Sequence, residues 1–400
     1  MKIAMIGHKR IPSREGGVEI VVENLAVRMA ALGQQVTAYN RKGKHIAGTA
    51  FDDGRPENRC SFYRGVRLCP VPTIDRKGLA AVTSSFTATI KAILDKNDCI
   101  HYHAEGPCAV LWVARLFGIR TVATIHGLDW QRGKWKGFAC WYLKLGEKTA
   151  VRFANEIIVL SRSTQDYFMK QYHRKTVLIP NGINKPEIKP ARLITEQWGL
   201  QPDDYILFVG RIVPEKGLDY LLEAWKSIDT QKRLVIAGSG SDTSDYFNSI
   251  QNQTATDDRI VMTGFVQGER LEELYSNAYL YCLPSDLEGM PISLLEAMSY
   301  GCCCLTSDIP ECTEVLQEYG RTFKKSEVMD LERNLQELCD HPETTVLLSR
   351  GVRDSVCARY NWDDITKRTL ALYHGGRKAL SRHLSSSKEI ISSEKAGLSS

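Results

Sequence analysis

No apolar run among the 400 residues approaches the ~18 needed to cross a bilayer as a helix. Met1–Gly7 is apolar but is cut off by His8-Lys9-Arg10, which predicts a first strand and not a signal peptide. Cysteine is not scarce, with twelve, yet no two are spaced as Cys-x-x-Cys, so zinc-ribbon and dithiol patterns are absent. Cys302-Cys303-Cys304 sit in a strand-like run where neighbours alternate faces, which excludes an ordinary disulfide framework. Buried reduced thiols and a reducing cytoplasm are the expectation. The net charge of +5 is mild and spread along the chain, which argues against a nucleic-acid partner. What remains is a globular composition, 43% apolar and 25% charged. The length is too great for one core and suits two domains.

The stretch SDLEGMPISLLEAMSYGCCCLTSDIPE, residues 285–311, organises the rest. Glu288 and Glu296 stand eight positions apart across a Gly-Met-Pro break. Ser293–Met298 is strongly helix-forming, and Pro291 suits the first turn. The free amides of Met290, Ile292 and Ser293 then face outward at the positive end of a helix dipole, a place for a phosphate. Glu296, deeper in the helix, is able to take both hydroxyls of a ribose. Together these features fit a nucleotide-sugar site. The spacing fits equally a solvated helix carboxylate beside a plain turn.

Strand-like runs recur at 35–39, 66–71, 99–103, 121–126, 157–160 and 177–180, with helical stretches such as Leu79–Leu94 between them. This alternation predicts a doubly wound parallel sheet, with active residues at the carboxyl ends of its strands. His103, Glu105, His126 and Asp129 fall at such ends. Gly16-Gly17 precedes an amphipathic helix and suits close approach to a phosphate, though helix-entry glycines are commoner without a ligand. Trp130–Lys148 is basic and aromatic, with Lys134, Lys136 and Lys144 among its cations. It reads either as a surface for anionic lipid or as an ordinary amphipathic helix. A second series of strands starts at Tyr205–Gly210, after a proline-punctuated linker. Gly210-Arg211-x4-Lys216-Gly217 sets two cations at a strand mouth, suited to a diphosphate or simply flanking a turn.

Glu288 to Glu296, followed by Ala297-Met298, Gly301 and Pro310-Glu311, resembles the E-x7-E element of retaining glycosyltransferases of family 4, which have the GT-B fold. The Gly-Arg-x4-Lys-Gly string resembles that family's diphosphate-binding element, and Thr263–Val266 its nucleobase-holding strand end. Thr124-Ile-His-Gly-Leu-Asp-Trp130 resembles its interdomain-cleft loop, where the histidine contacts the donor sugar. Ile11–Ser13 with Gly16–Glu19 resembles a subgroup that includes bacterial rhamnosyltransferases, departing from it at Glu15, at Val18 and at His8-Lys9-Arg10.

The resemblance implies two Rossmann-like domains facing a cleft: 1–184 on the acceptor side, a linker at 185–204, and 205–360 for the nucleotide-sugar. A helix at 361–383 crosses back to the first domain, and 384–400 forms a serine-rich disordered tail. Catalytic candidates are His126, Arg211, Lys216 and Glu288. Donor-binding candidates are Gly16, Gly17, Gly210, Thr263, Val266, Met290, Ile292, Ser293 and Glu296. Glu105 and Asp129 are acceptor-side candidates. No Asp-x-Asp triplet occurs, only the pairs Asp52-Asp53, Asp203-Asp204, Asp257-Asp258 and Asp363-Asp364. No metal or cofactor is therefore expected. The implied reaction is retaining transfer of a hexosyl group from a nucleotide-diphosphate sugar to a glycan or lipid-linked acceptor, in bacterial surface-polysaccharide assembly. The expected setting is cytoplasmic, with peripheral contact to an anionic membrane. A GT-B nucleotide-sugar epimerase and a non-catalytic nucleotide-sugar-binding protein are the alternatives.

Overall fold

The computed structural model describes residues 1–14, 16–43, 60–74, 76, 78–133, 137–240 and 244–375. Glu15, the 134–136 stretch and the serine-rich tail lie outside them. Two sheets carry the molecule. The first contains β1 (Lys2–Ile6), β2 (Gln35–Arg41), β3 (Ser61–Tyr63), β4 (Val66–Val71), β5 (Cys99–His103), β6 (Arg120–Ile125), β7 (Glu156–Val159) and β8 (Val177–Leu178). Their spatial order is β3-β4-β2-β1-β5-β6-β7-β8, parallel except for the β3–β4 hairpin. The second contains β9 (Tyr205–Val209), β10 (Arg233–Ala237), β11 (Ile260–Gly264), β12 (Leu280–Leu283), β13 (Cys304–Ser307) and β14 (Arg321–Phe323). It is wholly parallel, in the order β11-β10-β9-β12-β13-β14. Ile3–Ile6, Tyr205–Phe208 and Leu280–Leu283 are buried throughout. Parallel strands covered by helices on both faces require such runs.

Each sheet reverses its winding once, between β1 and β5 and between β9 and β12. The carboxyl ends of the strands part there and leave a crevice. Backbones run close at both places. A Cβ on Gly7 would lie 2.2 Å from His103 O, and one on Gly217 would lie 2.0 Å from Pro284 O. At both positions φ is positive, +119° and +63°, so glycine is required twice over.

Helix Trp362–Tyr373 starts on an Asn361 side chain that accepts from the amides of Asp363 and Asp364. It does not pack on the second sheet, which it follows in sequence. Trp362, Ile365, Leu372 and Tyr373 join the core formed by Ile3, Met5, Val22 and Leu25, so the helix returns to the first sheet. It ends at Tyr373, short of the expected end at 383, and 376–383 lie outside the described residues. The two crossings run side by side. Ile183 N–H donates to Tyr360 O at 2.7 Å, and Ile183 forms a bridge with Asn361.

The cysteine expectation holds in part. All twelve thiols are free, and Cys302, Cys303 and Cys304 are all buried. The strand there begins only at Cys304, so face alternation does not describe the trio. No described helix is long and apolar enough to cross a membrane.

Candidate functional site

The crevices of the two sheets face each other, and their loops touch. A Cβ on Gly289 would lie 1.6 Å from His126 O and 3.1 Å from Gly127 Cα. Only glycine admits this backbone-on-backbone contact. Around it, Arg132 of the first half stands 3.9 Å from Glu215 of the second. The Asn181 amide lies 3.0 Å from Met290 Sδ, Ser163 Oγ donates to Glu311, and Arg162 N–H donates to Glu314 at 2.9 Å.

Two helices aim their amino ends into the cleft. Helix Gly17–Ala31 rises from Gly16, and helix Ile292–Tyr300 from Pro291, with no side-chain cap at either start. Pro291 is thus the cap residue, one position earlier than the first turn expected for it. A Cβ on Gly17 would come within 3.2 Å of Ile292 Cδ1, so the two ends meet. Uncapped amides at two converging dipole ends make a positive niche for an anion. Ser293 Oγ, beside them, accepts from Tyr281 OH at 2.8 Å.

The cations stand on the second half. Arg211 follows β9, and burial lowers its pKa below the ordinary guanidinium value, with Arg132, Glu215, Glu288 and Asp129 in its field. Lys216 closes a short 3-10 turn, Pro214–Lys216, ahead of helix Leu218–Trp225. Its Nζ lies 2.5 Å from Glu288 Oε1, which also accepts from Ser285 Oγ at 2.7 Å. Glu296 accepts from Tyr275 OH at 3.1 Å, and burial raises its pKa. Beside the cations, Gly210 N–H donates to Ala237 O and Gly238 N–H to Gly264 O. These bonds hold the ends of β9, β10 and β11 together beside half-buried Thr263 and Val266. The second-half candidates therefore line one crevice.

The first half supplies histidines. His126 follows β6, and burial pushes its pKa down to about 4. His103, at the end of β5, is fully buried with its Nδ1 3.1 Å from His126 Nε2. Beneath it His101 is held by Tyr373 OH at 2.5 Å and Thr124 Oγ1 at 2.7 Å. His8 bonds Asn40 at 2.9 Å. Sequence spacing does not reveal this cluster, because the register of β5 on β6 brings 103 and 126 together.

The acceptor-side candidates separate. Asp129 pairs with Arg132 at 2.9 Å on the cleft loop. Glu105 is sealed from solvent below that loop, and neither of its carboxyl oxygens has a hydrogen-bond partner. Burial, with Asp129 and Glu147 nearby, pushes its pKa up to about 10, so it is neutral. Ala104 before it has φ +74°, a conformation rare for a residue with a Cβ. Glu147, which no motif flagged, is fully buried and accepts from Trp130 Nε1 at 3.1 Å, Tyr167 OH at 2.9 Å and Tyr172 OH. It anchors the cleft loop from below.

Comparison with known proteins places these features. Residues 15–185 match the model of "Glycosyltransferase Family 4" and residues 192–354 that of "Glycosyl transferases group 1". An uncharacterized glycosyltransferase of Methanocaldococcus jannaschii is 25% identical, covering 93% of this chain and 98% of its own length. The UDP-Gal:alpha-D-GlcNAc-diphosphoundecaprenol alpha-1,3-galactosyltransferase of Escherichia coli is 28% identical, over 61% of this chain and 67% of its own. Sucrose-phosphate synthase of Thermosynechococcus elongatus superposes with a TM-score of 0.80 at 22% identity, covering 94% of this chain and 99% of that one. Two family models that between them span both halves, on two opposed parallel sheets, make this chain a glycosyltransferase family 4-like protein with the GT-B fold.

Proposed function

We propose that the chain moves a hexosyl group from a nucleoside-diphosphate sugar to a glycan or lipid-linked acceptor, with retention of configuration and without a metal. The observation that carries this reading is the convergence of Arg211, Lys216 and two uncapped helix starts on one crevice. In such a niche fixed cations and amides balance the charge that grows on a leaving diphosphate. Glu296 takes the ribose, while Glu288 and His126 face the sugar from opposite halves. Attack comes from the face the diphosphate leaves, and the leaving phosphate helps to take the acceptor proton. In this reading charge balance on the leaving group falls to Arg211 and Lys216.

A lipid-linked acceptor at a membrane is supported by one face of the first half. Helices Leu79–Leu94, Leu111–Leu116 and Phe138–Phe153 pack on the same side of the sheet. Outward they expose Phe86, Leu94, Trp112, Leu116, Phe138 and Trp141. Lys144, Lys148 and Arg152 are exposed among these, and the only acid on the three helices, Glu147, is buried. An apolar face with cations and no exposed acid suits anionic lipid. The diphosphoundecaprenol acceptor in the name of the Escherichia coli relative supports the same reading. The setting is then the inner face of a bacterial membrane, in surface-polysaccharide assembly.

Melting a panel of nucleoside-diphosphate sugars with the chain tests the donor site. A true donor at ~100 times its dissociation constant stabilises by about 2.7 kcal/mol. Incubation with that donor, with and without lipid-linked glycan and in EDTA, then tests transfer. Product only on addition of metal, epimerised donor without acceptor, or binding without turnover on any acceptor would each defeat the proposal.

A further inference from the structure

His103 and His126 share one hydrogen bond, and the remaining nitrogens decide where its proton lies. The rings stand 5.4 Å apart at 29°, with His103 Nδ1 3.1 Å from His126 Nε2. His103 cannot turn freely, because the His101 ring packs 4.0 Å away, tilted by 35°, and is itself fixed at both nitrogens. Burial keeps both rings of the pair neutral at pH 7. A neutral imidazole has one N–H and one bare nitrogen, which leaves two arrangements. Either His103 Nδ1–H donates to a bare His126 Nε2, or His126 Nε2–H donates to a bare His103 Nδ1.

His103 Nε2 distinguishes them. It is buried and has no hydrogen-bond partner. In the second arrangement it carries an orphaned N–H, and in the first only an unshared lone pair. Orphaned buried donors are the rarer defect in folded proteins. The first arrangement puts the His126 proton on Nδ1. That nitrogen has no partner among the described residues and is not among the atoms sealed from solvent, so its N–H is offered to the cleft.

We infer that His103 is a positioning residue that sets the tautomer of His126, leaving Nε2 bare and Nδ1 protonated. The consequence for transfer rests on the function proposed above. His126 then donates a hydrogen bond to an oxygen of the bound sugar and does not accept one from a hydroxyl. Transfer partners that offer only a donor at that point are disfavoured.

Long-range proton–nitrogen NMR of the full chain, labelled at histidine nitrogen, reads the tautomer without any substrate. The His126 signals are identified by their loss in His126→Gln. The expected result is a protonated Nδ1 and a bare Nε2. His103→Asn keeps an N–H donor near the place of Nδ1 and should keep that tautomer. His103→Leu removes the donor and should shift His126 toward Nε2–H. In kinetics, His103→Leu should lower kcat about tenfold, the worth of one neutral hydrogen bond. KM for the donor should move far less, and His103→Asn should restore most of the loss. A wild-type His126 protonated on Nε2 overturns the inference, and the wild-type spectrum decides this even if His103→Leu fails to fold. A folded His103→Leu with an unchanged His126 tautomer overturns it too. An Nδ1–H tautomer in a chain that transfers nothing to any acceptor upholds the inference and sinks the transferase reading instead.

Discussion

At the scale of single residues, Lys216 and Glu288 neutralise each other, and in the proposed reaction a diphosphate would compete for the ammonium. The pair is largely buried, with side chains 13% and 9% exposed, so removing one partner strands the other. A stranded buried charge costs about 3–5 kcal/mol. Lys216→Ala should therefore lose both stability and activity, with kcat down about 10²–10³-fold. Adding Glu288→Gln should recover melting temperature, which measures how much of the lost stability comes from the stranded carboxylate. Arg211→Lys should also lower kcat, because a point charge cannot replace a planar fork on phosphate. The buried titratable groups predict opposite slopes of stability with pH. His8 and His126 are held at about 4 and His101 at about 3, against an ordinary 6.5. Between those values the unfolded chain binds more protons than the folded one, so stability falls as pH drops below 6.5. Glu105 runs the other way: its folded pKa of about 10 exceeds the ordinary 4.5, so stability falls as pH rises between them. Urea unfolding at pH 5, 7 and 9 checks both limbs. Glu105→Gln should flatten the alkaline one and steepen the acid one, because the Glu105 window overlaps that of the histidines between pH 4.5 and 6.5.

At the scale of elements, the three-helix face makes a prediction of its own. Trp141→Ser with Leu116→Ser should weaken sedimentation with vesicles rich in anionic lipid, and so should salt, which screens exposed charge over ~8–10 Å. Equal sedimentation of parent and variant would show that the face does not touch lipid. The original expectation rested on Trp130–Lys148, but Lys134 and Lys136 lie outside the described residues, and Lys144 lies 4.4 Å from the centre of the Trp130 ring. Sequence could not show the wider face, because its members come from helices far apart along the chain. The long buried strands were legible, since a parallel strand covered on both faces must be an unbroken apolar run. Ser61–Tyr63 and Arg321–Phe323 were not, being three-residue edge strands with only one neighbour each. Glu288, Lys216 and Gly17 could be placed by motif, whereas Glu147 and the His103–His126 contact required tertiary register.

At the scale of the whole molecule, the contact of Gly127 with Gly289 describes a closed arrangement held by few polar bonds. Gly289→Ala would set a methyl group against His126 O, so it should hold the halves apart while leaving each core intact. Small-angle scattering should show a larger radius of gyration for this variant. Saturating donor should narrow the wild-type profile and leave that of Gly289→Ala broad. An unchanged profile in both would mean that ligand does not drive closure.

The paired crossings at Ile183 and Tyr360–Asn361 limit what that closure can be. Two hydrogen-bonded tethers resist sliding and twisting, and so leave rotation about the line they share as the easy motion. Each swing of the door then returns the same atoms to the same opposite numbers. The chain is also bolted twice. A protease cutting once between Pro186 and Pro202 leaves the second tether in place, with Trp362 still seated in the first core, and the nicked protein should migrate as one body.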